Sequence, residues 1–75
     1  MLVIFTLEHC PQCKLLKKYL VSKGIEFEEK DAQENAQFLM TQGFMAAPVI
    51  DLDGQMIPFI SIKQIEILLK TSGYL

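Results

Sequence analysis

Arginine and tryptophan are absent from this chain, histidine occurs once and cysteine twice. Without arginine there is no planar guanidinium to grip a phosphate or carboxylate in two places. Any anionic ligand falls to lysine, backbone N–H groups or a helix N-terminus. Seven lysines face nine acidic residues, for a net charge of −2. That balance argues against a nucleic-acid binder, which needs a basic face for the phosphates. No apolar run approaches the ~20 residues of a membrane span. The apolar opening, Leu2 to Leu7 broken by Thr6, is too short for a signal peptide and lacks a basic leader and a small-residue cleavage site. The expectation is a soluble, cytoplasmic protein with no membrane and no nucleic-acid partner. Two cysteines three positions apart are no secreted disulfide framework; in a cytosolic chain that spacing means redox chemistry or half a metal site.

What is present is 75 residues, 51% of them hydrophobic. The expectation is one domain over residues 1–75. A domain of this size buries only ~60% of its unfolded surface, yet this composition suffices for a core without metal or structural disulfides. Residues 2–7 are β-branched or large and apolar, without helical period, and read as a buried strand. Glu8-His9-Cys10-Pro11 breaks the run, and Pro11 suits the first turn of a helix, where its missing N–H costs nothing. Leu15, Leu16, Tyr19 and Leu20 recur at helical spacing, and Gly24 is a natural C′ stop. Residues 25–30 begin with apolar–polar alternation and fit a short strand. Asp31 with Glu34 has capping-box spacing and predicts a helix over 32–42, with Ala36, Phe38, Leu39 and Met40 as its apolar members and Gly43 at its end. Residues 48–52 form a strand, Asp53-Gly54 is a hairpin turn, and Gln55 to Ile60 is its partner. Ser61 with Gln64 opens a last helix carrying Ile62, Ile65, Leu68 and Leu69 on one face. The order β-α-β-α-β-β-α implies an α/β fold with a mixed sheet flanked by helices. The first two strands are parallel with a right-handed crossover, the last two antiparallel.

Chemistry concentrates at Cys10 and Cys13. A cysteine where strand meets helix sits among unpaired N–H groups at the positive end of the helix dipole, and both stabilise a thiolate. There its pKa commonly falls from ~8.5 into the range of roughly 3.5–7.5. Cys10 is therefore the expected exposed nucleophile, and Cys13, one turn inward, the resolving thiol. Pro11 stiffens the turn between them. Two other readings stay open. Both cysteines could be core residues, since free cysteine is often buried. They could also, with His9, be part of a metal site, but zinc usually wants four ligands, so a zinc ion or iron–sulfur cluster would have to be shared across a dimer. His9 is either a charge partner of the nucleophile or simply an exposed residue beside it. Lys14 and Lys17, in the first turns, are candidates for adding positive field near Cys10. Pro48 leads a strand, and composition does not choose between its cis and trans forms.

Cys10-Pro11-Gln12-Cys13 after a first strand, Ala47-Pro48-Val49 before a hairpin and Asp53-Gly54 in its turn together resemble the glutaredoxin branch of the thioredoxin superfamily, over essentially the whole chain. The resemblance implies a thioredoxin-like fold with a four-stranded mixed sheet and a redox-active Cys10–Cys13 disulfide with no bound cofactor or metal. It also implies a cis proline at Pro48 opposite the cysteines. Pro11, Gln12, Ala47 and Pro48 are then the substrate-contacting residues, with the Ala47 backbone pairing with a bound thiol substrate like an added strand. Classical glutaredoxins carry an aromatic where this chain has Gln12, a lysine where it has Leu7, and a Gly-Gly then Asp motif where it has Ile57 to Ser61. Gln42-Gly43-Phe44, the following Pro48-Val49 and Gln12 are instead similar to NrdH-type redoxins. That similarity implies a monomer drawing electrons from NADPH through thioredoxin reductase and supplying protein disulfides, ribonucleotide reductase among them. A glutathione-dependent glutaredoxin is the alternative. NrdH-type chains read Ser-Gly-Phe where this one has Ile57-Pro58-Phe59, and often a basic residue at the position of Met45. An apolar rim of Phe44, Met45, Ala46, Ala47, Pro58 and Phe59 around the cysteines would suit protein disulfides better than a charged tripeptide.

Overall fold

Successive side chains of a strand point to opposite faces, and in the first strand both faces are apolar. It must therefore be central, with helices on either side. The computed structural model describes residues 1–75 and shows this arrangement. Its elements are β1 (Leu2–Thr6), α1 (Pro11–Ser22), β2 (Glu28–Asp31), α2 (Ala36–Thr41), β3 (Val49–Leu52), β4 (Gln55–Pro58) and α3 (Ile62–Thr71). The four-stranded sheet has the order β2-β1-β3-β4. β1 and β2 are parallel, while β1–β3 and β3–β4 are antiparallel. This is the mixed, open sheet of a thioredoxin-like fold.

Leu2 and Ile4 of β1 join Ile50 and Leu52 of β3, Leu16 and Leu20 of α1, and Ile65 and Leu69 of α3 in the larger core. Val3 and Phe5 look the other way, onto Val49, Ala32 and Leu39 of α2. Two helices thus cover one face and a helix of six residues covers the other, leaving Phe38 and Met40 exposed beside Leu39.

The local expectations meet the structure unevenly. The hairpin turn is as expected, with Asp53 and Gly54 both at positive φ (52° and 93°), as a type I′ turn requires. The Ser61–Gln64 capping box is fully formed. Gly24 follows the α1 C-cap, Lys23, at φ 69°. Leu15, expected on the buried stripe of α1, is exposed; Cys13 takes the buried position one turn before Leu16. The second strand is shifted to Glu28–Asp31, because Ile25 is buried in the preceding loop with its N–H bonded to the Leu20 carbonyl. The expected capping box at Asp31 does not form. Asp31 ends β2, its Oδ1 accepts the Gln33 N–H at 2.8 Å, and the buried Ala32 donates to the Thr6 carbonyl at 2.8 Å. Sheet pairing takes the Asp31 backbone and the Ala32 N–H, residues 32–35 form a turn with the Asn35 N–H on the Asp31 carbonyl, and α2 starts only at Ala36. β1 ends at Thr6 rather than residue 7, and β4 at Pro58 rather than residue 60.

Candidate functional site

β1 delivers the chain to the cysteines through three exposed residues, Leu7, Glu8 and His9. His9 stands at φ 57°, a left-handed conformation that histidine tolerates better than most residues. It turns the chain from the sheet into α1. Cys10 is the helix N-cap, in extended conformation (φ −107°, ψ 106°), and Pro11 follows in the first turn. The Cys10 Sγ takes the place of the usual cap oxygen and accepts the Cys13 backbone N–H at 3.2 Å. A sulfur held this way meets the positive end of the helix and one of its orphan donors. Cys10 and Cys13 are joined as a disulfide, with their Cα atoms 5.2 Å apart. Cys13 is 1% exposed and Cys10 half-buried, while Pro11 and Gln12 lie on the surface between them.

Pro48 comes to the same end of the sheet. The register opposes Phe5 to Val49, so the 44–48 loop enters β3 beside the residues leaving β1. The Ala47–Pro48 peptide is cis. Pro48 is buried and Ala47 half-buried, and the Pro48 carbonyl accepts the Phe59 N–H at 3.4 Å. Cys10, Cys13, Ala47 and Pro48 therefore gather at the carboxyl ends of β1 and β2, where ligands of open α/β sheets commonly sit.

The expected apolar rim divides. Phe44, Met45, Ala46 and Ala47 line a groove of about 290 Å³. The Phe59 side chain packs instead against the core on the opposite face of the sheet, and Pro58 takes no part in the groove. The groove is completed by Leu7, Ala32, Ala36, Leu39 and Met40, with Gln33 its one polar wall. These residues escaped the sequence reading because their meeting depends on where α2 begins. Met40 (60% exposed) and Met45 (88%) are the most accessible large hydrophobic side chains there.

Lys17 is engaged by a carboxylate rather than standing as a free cation. Its Nζ lies 3.0 Å from Glu29 Oε2, which also accepts the hydroxyl of the buried Thr6 at 2.5 Å. The Thr6 hydrogen bond, followed by that of Lys17, holds the Glu29 carboxyl below the ordinary glutamate value. Glu29 was not singled out in the sequence; the Lys17 spacing, four residues after Cys13, was the available hint. No group of three or more His, Cys, Asp or Glu side chains is placed to hold a metal ion. No helix is long and apolar enough to cross a membrane.

Comparison with known proteins agrees with this arrangement. The Glutaredoxin family profile matches residues 2–57. The Glutaredoxin-like protein NrdH of Lactococcus lactis subsp. lactis (strain IL1403) is 38% identical over 56 residues, spanning 71% of this chain and 78% of the relative. The uncharacterized glutaredoxin-like 8.6 kDa protein in the rubredoxin operon of Clostridium pasteurianum is 34% identical over 61 residues, or 76% and 81% of the two chains. Among solved structures, the thioredoxin-like protein BC3987 superimposes with a TM-score of 0.78 at 23% identity, covering 92% of this chain and all (100%) of that one. That likeness shows the fold.

Proposed function

The chain belongs to the glutaredoxin family of thiol–disulfide oxidoreductases, and from that premise we propose that it is an electron-donor redoxin reducing protein disulfides. In the reduced chain the Cys10 thiolate attacks one sulfur of the substrate disulfide. That S–S bond breaks, the departing sulfur leaves as a thiolate and takes a proton from water, and a mixed disulfide remains on Cys10. Cys13 gives up its proton and attacks the Cys10 sulfur, releasing the second substrate thiolate. Two electrons have passed to the substrate, and the chain is left with its Cys10–Cys13 disulfide. Pro11 and Gln12 face the incoming chain, and the Ala47 backbone, set by cis Pro48, pairs with it.

The observation that carries this reading is the groove at the end of the sheet, lined by 10 residues of which 9 are hydrophobic. It suits the apolar flank of a protein disulfide. It offers little to the carboxylates and amine of glutathione in a chain without arginine. The likeness to NrdH-named relatives supports the finer proposal. Thioredoxin reductase, drawing on NADPH, is the reductant; ribonucleotide reductase is a recipient; the protein works as a monomer in the cytoplasm, where thiols are kept reduced.

The test is NADPH consumption with a protein disulfide, supplied either with thioredoxin reductase or with glutathione and glutathione reductase. Turnover with thioredoxin reductase alone is expected. Turnover with glutathione alone would overturn the donor reading and make the chain a glutathione-dependent glutaredoxin.

A further inference from the structure

Lys17 and Glu29 form an ion pair beside the redox site whose placement follows from two registers. β1 and β2 are parallel with Ile4 opposite Glu29. Glu29 and Thr6 therefore share the face of the sheet that α1 covers. On α1, Lys17 lies one turn after Cys13 on the same side, with Cβ atoms at such spacing ~5–6 Å apart. Helical side chains tilt toward the N-terminus of their helix. An uncommitted Lys17 would therefore reach back along α1 toward the first turn, where the two sulfurs lie. Here it is paired with β2: its Nζ is 3.0 Å from Glu29 Oε2, and Thr6 anchors the same oxygen at 2.5 Å. Glu29, like any glutamate with its carboxyl at or below the ordinary value, is a charged anchor at neutral pH.

We propose that Glu29 is a positioning residue for the redox pair: by holding Lys17 across from β2 it withholds a positive charge from the Cys10 sulfur, and so sets how acidic and how oxidising the dithiol is. The inference rests on the reading of Cys10 as the attacking thiolate. The remaining charged groups around the site are Glu8 and His9 in the loop, Lys14 on α1, and Lys30 and Asp31 on β2. Glu8, Lys30 and Asp31 line one polar groove with Thr6, Lys17 and Glu29. They are the same in every variant below and cancel in the comparison.

The experiment titrates the Cys10 thiolate by its ultraviolet absorbance in a Cys13→Ser background, and measures the dithiol–disulfide equilibrium against glutathione in the two-cysteine protein. Glu29→Gln keeps an oxygen for the Thr6 hydroxyl but frees Lys17. We expect about threefold more thiolate at pH values below the Cys10 pKa, as befits one partly exposed charge. The exchange equilibrium should move toward the dithiol by up to the same factor, which is about 14 mV more oxidising at 29.6 mV per tenfold. Lys17→Met, which leaves Glu29 uncompensated, should shift the titration the other way. The double variant should return both readouts to those of the parent. A titration unmoved by Glu29→Gln, or a shift that survives in the double variant, overturns the proposal; if Glu29→Gln does not fold, an unmoved Lys17→Met titration does so. A Cys10 that titrates like an ordinary thiol in the Cys13→Ser protein would instead overturn its role as the nucleophile.

Discussion

A sulfur at a helix N-cap and a sulfur one turn further in meet different surroundings. Cys10 accepts a backbone N–H and is partly open, while Cys13 is sealed at 1% exposure. Cys10→Ser should therefore abolish protein-disulfide turnover. Cys13→Ser should stall after the first exchange and accumulate a mixed disulfide, visible as an added mass on non-reducing analysis. Equal trapping by both variants would overturn the assigned roles. Glu29 carries a second prediction at this scale. Its carboxyl is held below the ordinary value, first by Thr6 and then by Lys17. The folded chain thus binds that proton less readily than the unfolded chain does. Its stabilisation is complete above the unfolded value of about 4.3 and is lost as pH falls through the lower folded value. In denaturation experiments the difference between parent and Glu29→Gln should be largest near neutrality and shrink in acid. A difference constant with pH would remove Glu29 from the acid limb. The cysteine pair was legible in the sequence because its chemistry is local, four consecutive residues at a break in pattern. The Thr6–Glu29–Lys17 contact was not, since it depends on the register between β1 and β2, which no spacing along the chain reveals.

The last helix shows what a cap does for an element. Ser61 Oγ accepts the Gln64 N–H at 3.1 Å. The Gln64 side chain reaches back to the Ile60 N–H at 2.8 Å and the Pro58 carbonyl at 2.9 Å. α3 is thereby tied to the end of β4 as well as started. Ser61→Ala should cost about 1 kcal/mol, or a fall of roughly 4–8 °C in Tm for a domain of this size, measured by thermal unfolding. Gln64→Ala, which also frees the Ile60 N–H and the Pro58 carbonyl, should cost more. The same sequence pattern at Asp31 and Glu34 failed as a cap. What separates the two sites is the neighbouring strand: Thr6 takes the Ala32 N–H, and residues that a helix would have used are spent on the sheet. Capping spacing is sufficient where nothing competes for the backbone and insufficient beside a central strand.

At the scale of the molecule, the two faces of the sheet are unequal. α1 and α3 seal one, while α2 covers only part of the other and leaves an apolar groove beside the cis proline loop. The succession of elements along the chain and the hairpin could be read because apolar runs, helical spacing and Asp53-Gly54 encode them locally. Of the groove only the wall from Phe44 to Ala47 could be read; the opposite wall could not, because it depends on where α2 begins. Replacing both Met40 and Met45 by lysine should weaken docking of a protein disulfide. Loss of roughly 1.5 kcal/mol of apolar contact, well within the value of one buried methionine, corresponds to about a tenfold rise in KM. Reduction of a small aromatic disulfide should fall much less. Equal losses on both substrates would mean that the groove serves the cysteines rather than the partner.

The burial of Cys13 also bears on survival under oxidative attack. On the proposed roles, hydrogen peroxide reaching the dithiol should meet the Cys10 sulfur first and convert it to a sulfenic acid, releasing water. A second peroxide would carry that sulfur to the sulfinic acid, which is not recovered in most proteins. Cys13, already within bonding reach and itself shielded from the oxidant, condenses with the sulfenic acid instead, expelling another water and forming the disulfide. The product of the attack would then be the same Cys10–Cys13 disulfide that the proposed cycle forms, which the next reductant should reopen.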